Sequence, residues 1–282
     1  SFFLFINIII DQINWNMDKF LLGRMVGSSA VAIYSVASQI NTIYIQLPDM
    51  IASVYTPKIN RIVAVHKTEE AHKEINNLLI SVGRIQSIVA SIVLIGFILF
   101  GKDFIKLWVG DKFEKSYYIV LLLIIPAFVP LCQSLCVDIQ RAVNKHQFRS
   151  LIYLFISLFN VILSIRFIKK YAEIGAALGT TIAMIVGNWI IINIFYHRVL
   201  KLNMINFWKN VISIFPSYIP AICMVIIIKK NFQIDTWGKL LLVGSCYCVI
   251  FSLSVFLFGL NKIEKNKLIS VLKKGEKLSD SN

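Results

Sequence analysis

Charged residues are scarce in this sequence, and their scarcity argues against a soluble fold. Asp, Glu, Lys and Arg together make up 16% of the 282 residues, whereas soluble domains carry about 25%. Hydrophobic residues make up 57% of the chain, and the mean hydropathy is +0.72. The few charges collect between long apolar runs. We therefore expect a membrane protein.

Motifs for catalysis and for metal binding are lacking as well. The sequence contains no H-E-x-x-H and no G-x-S-x-G pattern. The stretch GFILFGKD resembles a phosphate-binding loop, but Asp103 stands where that loop needs Ser or Thr. The five cysteines are an odd number, and all fall in apolar runs, which argues against a disulfide framework. A membrane-embedded enzyme acting on isoprenoid lipids would need a cluster of carboxylates, histidines or metal ligands. We therefore expect neither an enzyme nor a bound cofactor.

Long apolar runs dominate what is present. Each run is long enough for a helix to cross roughly 30 Å of hydrocarbon. The eight runs are 2–25, 30–56, 75–101, 117–139, 148–168, 174–197, 209–229 and 238–260. Because helices satisfy their own backbone hydrogen bonds within a membrane, these runs predict an all-α polytopic membrane protein with eight transmembrane helices.

The formal net charge is +14. Binding to nucleic acid would explain this positive charge, and so would contact with a negatively charged membrane surface. We interpret it as solvated loops facing anionic lipid, with no nucleic-acid partner. The basic stretch NKIEKNKLISVLKKGEK within residues 261–282 favours a cytoplasmic tail. With that tail in the cytoplasm, the loops near 57–74, 140–147 and 198–208 lie on the same side.

Polar residues form one stripe on the first apolar run. Asn7, Asp11, Asn14 and Asp18 follow one another at offsets of 4, 3 and 4, which places them within about 60° on a helix. A central Asp costs about 3 kcal/mol to insert, so two of them offset the whole gain of about 5 kcal/mol from the Leu, Ile and Phe residues of this run. The stripe predicts either a hydrogen-bonded seam between helices or one wall of a hydrated solute pathway.

Further polar groups lie in the next two runs. Asn41 and Asp49 occupy the second run beside Pro48, which predicts a bend. The third run contains Arg84. We expect its side chain either to reach the lipid head groups or to act as a fixed cation in a cavity. The stretch GAALGT, residues 175–180, shows a small-xxx-small pattern and predicts a closely packed helix face.

Several stretches of the sequence, taken in order, resemble one family of transporters. They are DQINWNMDKFLLGRMVGSSAVAIYSVASQI (11–40), PDMIASVYTPKI (48–59), GRIQS (83–87), LFGKDFIKLWVGDKF (99–113) and YAEIGAALGTTIA (171–183). Together they resemble the Wzx-like flippases of bacterial polysaccharide and O-antigen repeat units. Those flippases belong to the superfamily that also contains the MATE multidrug exporters.

The resemblance implies a MATE-like architecture of two facing six-helix lobes. Residues 1–200 would form the second lobe, 201–260 two additional transmembrane helices, and 261–282 a basic cytoplasmic tail. The N-terminal lobe would then lie outside the sequence given, which begins with Ser1 inside an apolar run. The implied location is the bacterial cytoplasmic membrane, in contact with membrane lipids.

The resemblance also implies a function, which is alternating-access transfer of undecaprenyl-diphosphate-linked oligosaccharides for surface polysaccharide biosynthesis. Sugar hydroxyls would contact the candidate pathway residues, which are Asn7, Asp11, Asn14, Asp18, Asn41, Asp49 and Arg84. The diphosphate would contact Arg84, Lys19 or Arg24, and the two aspartates of the stripe would either bind a coupling Na⁺ or H⁺ or shape sugar contacts. The alternative is a cation-coupled multidrug exporter of the same fold.

Overall fold

The structure is a computed structural model that describes residues 16–65, 69–143, 145–262 and 264–266. Nearly all of these residues are helical, and no strand occurs among them. The predicted all-α class is therefore confirmed. The predicted site residues Asn7, Asp11 and Asn14 and most of the basic tail lie outside the described residues.

Ten helices follow one another along the described part of the chain. They are α1 (16–25), α2 (Ser28–Val65), α3 (Glu69–Val109), α4 (Glu114–Cys132), α5 (Leu135–Ala142), α6 (His146–Met184), α7 (Ile192–Arg198), α8 (Met204–Ile212), α9 (Ile219–Asn231) and α10 (Trp237–Ser254). The π-helical segment Ile185–Ile191 joins α6 to α7, and a second one, Val255–Gly259, ends α10.

Five described stretches are long and apolar enough to cross a membrane, so the protein is a multi-pass membrane protein. They are Glu69–Val109, Asp111–Cys132, Arg149–Arg198, Met204–Lys230 and Trp237–Gly259. The stretch Arg149–Arg198 contains two of the predicted spans. Helix α2 is not in this set, and its apolar residues are interspersed with polar ones such as Gln39, Asn41 and Asp49. The count of eight spans stays a prediction.

Helix α6 folds back on itself at Ala172, whose φ of 48° lies in the left-handed region. The two arms then pack side by side at glycines. A Cβ atom on Gly175 would meet the backbone of Phe167, and one on Gly179 would lie 2.5 Å from Ser164 Oγ. Backbones can approach this closely only where side chains are minimal. The closely packed helix face predicted at residues 175–180 is confirmed.

Helix α3 joins two parts of the structure. Along one side it packs with α2, α4, α5 and α8, where the buried side chains include Leu79, Val82 and Phe207. Farther along, its Phe100 belongs to a cluster formed mainly by α9 and α10, with Tyr247 and Phe251 at the centre. The helices after residue 200 are thus held against the rest of the chain through α3.

The glycine contact in α6 makes a testable prediction. Replacing Gly179 by Val should destabilise the folded protein by about 1–3 kcal/mol, because the new side chain would collide with Ser164. The matched control is Gly244→Val in α10, where a Cβ atom meets nothing within 4 Å. Thermal unfolding of the detergent-solubilised full-length protein measures both; equal melting temperatures for the two variants would contradict the packing argument.

Candidate functional site

A polar cavity of about 720 Å³ lies between α2, α4, α5 and α6, and Asp18 of α1 lines one of its ends. Most of its lining side chains are polar, although its walls are helices rich in apolar residues. Apolar side chains such as Ile45, Leu123 and Ala127 fill the spaces between the polar ones. Within a membrane protein, such a volume is suited to a hydrated or hydroxyl-bearing solute.

Three hydroxyl groups surround the carboxylate of Asp18, whose side chain is only 3% exposed. Tyr34 donates to its Oδ2 atom at 2.6 Å and Thr180 donates to the same atom at 2.7 Å. Ser164 donates to its Oδ1 atom at 3.1 Å. The hydroxyls of Ser164 and Thr180 also lie 3.2 and 3.3 Å from Asn160 Oδ1. Burial of a carboxylate is tolerated only with such hydrogen bonding.

The groups around Asp18 offer oxygen ligands, which hard cations prefer. The carboxylate, the Asn160 carboxamide oxygen and the hydroxyls could together hold a monovalent cation, and the carboxylate could instead hold a proton. No group of three or more His, Cys, Asp or Glu residues that could hold a metal ion occurs in the described ranges. A transition-metal centre therefore has no support in this part of the chain.

The opposite end of the cavity carries both signs of charge. Asp49 of α2 and Asp138 of α5 line it, together with Arg141. Asp138 accepts a hydrogen bond of 2.9 Å from Thr56 and lies 3.6 Å from a guanidinium nitrogen of Arg141. Arg141 falls in a stretch predicted from the sequence to be a loop, and neither residue of this pair was among the predicted site residues. The short helix α5 brings them to the cavity.

Arg149 adds a second cation at this end. Its guanidinium lies 4.6 Å from the centre of the Tyr153 ring, and one of its nitrogens donates to the Tyr153 hydroxyl at 3.2 Å. That hydroxyl in turn donates to Asn188 Oδ1 at 2.6 Å. Stacking on an aromatic ring restricts the orientation of the guanidinium. Arg149 was not among the predicted site residues either, because it stands at the start of an apolar run.

The structure brings together three of the residues selected from the sequence. Asp18, Asn41 and Asp49 all line the cavity. The stripe predicted on the first apolar run stays a prediction, because Asp18 is its only member among the described residues. Lys19 and Arg24, considered above as contacts for a diphosphate, are not among the lining residues.

Arg84 occupies neither of the positions expected from the sequence. Its side chain is 3% exposed and forms a two-pronged ion pair with Glu264, with nitrogen–oxygen distances of 2.7 and 3.1 Å. It also donates to the backbone oxygens of Asn210 and Gly259, at 2.7 and 2.8 Å, and to Ser213 Oγ at 3.1 Å. We call these groups the Arg84 clamp. It ties α3 to α8 and to the end of α10, so Arg84 is a structural cation.

Two comparisons with known proteins bear on this site. Residues 1–118 match the model of a family described as "Polysaccharide biosynthesis protein". The "Probable flippase AglR" of Haloferax volcanii is 26% identical over 176 residues, which cover 61% of this chain and 36% of that protein. Both matches support the resemblance to polysaccharide flippases.

The resemblance to polysaccharide flippases noted from the sequence is thereby confirmed. The aligned segment covers only part of the relative. The chain spans about a third of the length of the curated flippase that it matches. The family match includes Asp18, Asn41 and Asp49 but ends before Asp138 and Arg149. No solved structure gives a significant match.

The Arg84 clamp makes a testable prediction. Arg84→Met should destabilise the protein by about 3–5 kcal/mol, because Glu264 and two backbone oxygens lose their cationic partner at a largely buried site. The matched control is Lys106→Met, which breaks an exposed pair with Asp111 and should cost at most about 1 kcal/mol.

Hydrogen exchange of the purified full-length protein locates the effect of this change. Faster exchange in α8 and α10, with protection of α4 and α6 unchanged, is the expected pattern. Normal exchange throughout, combined with lost transport, would instead place Arg84 in the solute pathway.

Proposed function

We propose that this chain is part of a flippase that moves lipid-linked oligosaccharides across a membrane. The polar cavity between α2, α4, α5 and α6 carries this proposal. Unsatisfied polar groups in hydrocarbon cost several kcal/mol each. Polar side chains around a cavity between apolar helices therefore favour a polar solute as its occupant. Hydroxyl and carboxamide side chains can donate and accept hydrogen bonds, which matches the needs of a sugar.

The cavity is arranged along its length in a way that suits a sugar diphosphate. One end contains the Asp18 cluster, and the other contains Arg141 and Arg149. Guanidinium groups recognise phosphate oxygens through paired hydrogen bonds. These two arginines therefore replace Arg84 as the cations that would contact the diphosphate of an undecaprenyl-linked substrate.

The position of the arginines suggests a loading side. Arg141 and Arg149 flank the connection between α5 and α6, which lies on the cytoplasmic side when the basic tail is cytoplasmic. A substrate entering from that side would place its diphosphate near the arginines and its sugars toward Asp18. Alternating access with a second lobe of the full-length protein, in a bacterial cytoplasmic membrane, would complete the transfer.

Transport by the full-length protein in liposomes tests this function. The probes are fluorescent polyprenyl-diphosphate-linked oligosaccharides that differ in their sugars, and a membrane-impermeant quencher reports which leaflet they occupy. We expect quencher accessibility of at least one probe to depend on the protein. Failure of every probe, combined with protein-dependent efflux of a cationic dye, would favour the multidrug exporter instead.

Asp18 is the residue through which we expect an ion to be coupled to transport. Asp18→Asn keeps the shape but removes the charge, so transport should fall at least tenfold, by about 1.4 kcal/mol or more. The melting temperature of this variant should no longer respond to replacing K⁺ by Na⁺ or to lowering the pH, whichever stabilises the wild-type protein. Both measurements use the same purified samples.

The matched control for this change is Asp235→Asn, in the connection between α9 and α10. Asp235 is 61% exposed and pairs with Lys239, whose hydrogen bond lowers the pKa of Asp235. Its replacement should leave both transport and the ion response unchanged. If Asp18→Asn transports at the wild-type rate, the Asp18 cluster only holds helices together by hydrogen bonds and has no role in ion coupling.

A further inference from the structure

We infer that Asn41 recognises a sugar of the substrate. Its carboxamide hydrogen-bonds an uncharged ring that carries hydroxyl or acetamido groups and lies midway along the cavity. This inference rests on the proposed function and assigns a substrate class to one position within it. Asn41 lies on the face of α2 that lines the cavity, in line with Tyr34, Ser38, Ile45 and Asp49. These residues recur every three or four positions, as one face of a helix requires.

The hydrogen-bonding state of Asn41 distinguishes it from its neighbours. Its side chain is 9% exposed, and its Oδ1 atom has no hydrogen-bond partner in the described structure. By contrast, Asn160 Oδ1 lies 3.2 and 3.3 Å from the Ser164 and Thr180 hydroxyls, and Asn188 Oδ1 accepts from Tyr153. Buried carboxamides are normally paired, because an unpaired one loses its hydrogen bonds to water without replacement.

The position of Asn41 along the cavity indicates what it would contact. On α2 it lies seven residues from Tyr34, which binds Asp18, and eight from Asp49, so about 10–12 Å separates it from either charged end at the helical rise. Nearby wall positions belong to Ser38, Ile45 and Leu123. Hydroxyl, carboxamide and apolar surface together suit a sugar ring, which has hydroxyl edges and an apolar face.

The charges at the two ends of the cavity limit the ring that fits between them. Asp18 lines one end. At the other end, the diphosphate would offset the charges of Arg141 and Arg149 and leave those of Asp49 and Asp138, so a ring carrying a carboxylate would have negative groups on both sides. A neutral ring avoids this repulsion and still offers donors to the Asn41 carboxamide. Midway along the cavity, the structure therefore favours neutral or N-acetylated sugars over acidic ones.

Deoxy-sugar probes test this inference. Full-length wild-type protein and Asn41→Leu are compared in liposomes, using the best-transported probe and analogues in which one hydroxyl at a time is replaced by hydrogen. A site built to bind a hydroxyl discriminates strongly against an analogue that lacks it. We expect the wild-type protein to transport one analogue at least tenfold more slowly than the parent. For Asn41→Leu, parent and analogue should move at similar rates.

The matched control is Gln133→Leu. Gln133 is also a buried carboxamide, with 2% exposure and both amide atoms unpartnered in the described structure, but it does not line the cavity. Its replacement should keep the wild-type ratio between parent and analogue. Should Asn41→Leu fail to accumulate in the membrane, Asn41→Ala removes the same carboxamide without added bulk and is judged by the same ratio.

The outcomes separate this inference from the proposed function. If wild-type protein moves no lipid-linked probe, the proposed function fails and this inference fails with it. If wild-type protein transports probes but discriminates against no analogue, or if the Asn41 variants keep its discrimination, only the role of Asn41 is overturned. Faster transport of a probe with an acidic ring than of its neutral counterpart would overturn the substrate class.

Discussion

The burial of the Asp18 carboxylate is the constraint on which the rest of the site depends. This group is accommodated by hydroxyls from α2 and from both arms of α6. Ser164 and Thr180 reach it together because the arms approach closely at Gly175 and Gly179. The small-residue face and the polar cluster are therefore one structure, in which close backbone packing positions the hydrogen-bond donors.

Two of the buried charges among the described residues, Asp18 and Arg84, are stabilised in different ways. Asp18 meets neutral hydroxyls beside a cavity, where a proton, a cation or a solute could change its environment. Arg84 meets an opposite charge and backbone oxygens in a closed contact between α3, α8 and the end of α10. The first arrangement leaves room for function, whereas the second holds helices in place.

Helix α3 connects these two regions. Two residues beyond Arg84, Gln86 donates to the backbone oxygen of Pro48 at 3.0 Å and to Ser134 Oγ at 2.6 Å. Pro48 precedes Asp49, and Ser134 lies at the break between α4 and α5 and lines the cavity. The turn of α3 that carries Arg84 therefore also holds the wall of the cavity in place, through the hydrogen bonds of Gln86. Residues remote from the solute pathway can consequently affect its shape.

The sequence by itself determined the all-α membrane class, because long apolar runs have one structural solution in a bilayer. It also indicated Asp18, Asn41 and Asp49, because polar and ionisable residues within apolar runs need a polar environment. Only the tertiary structure decided which faces meet. It placed Arg84 in the Arg84 clamp. The sequence pattern did not reveal this contact, because the partner Glu264 is 180 residues away. It also brought Asp138, Arg141 and Arg149 to the cavity through the short helix α5 and the fold-back of α6. Such contacts depend on how helices pack against one another, and the pattern within a single helix does not contain that information.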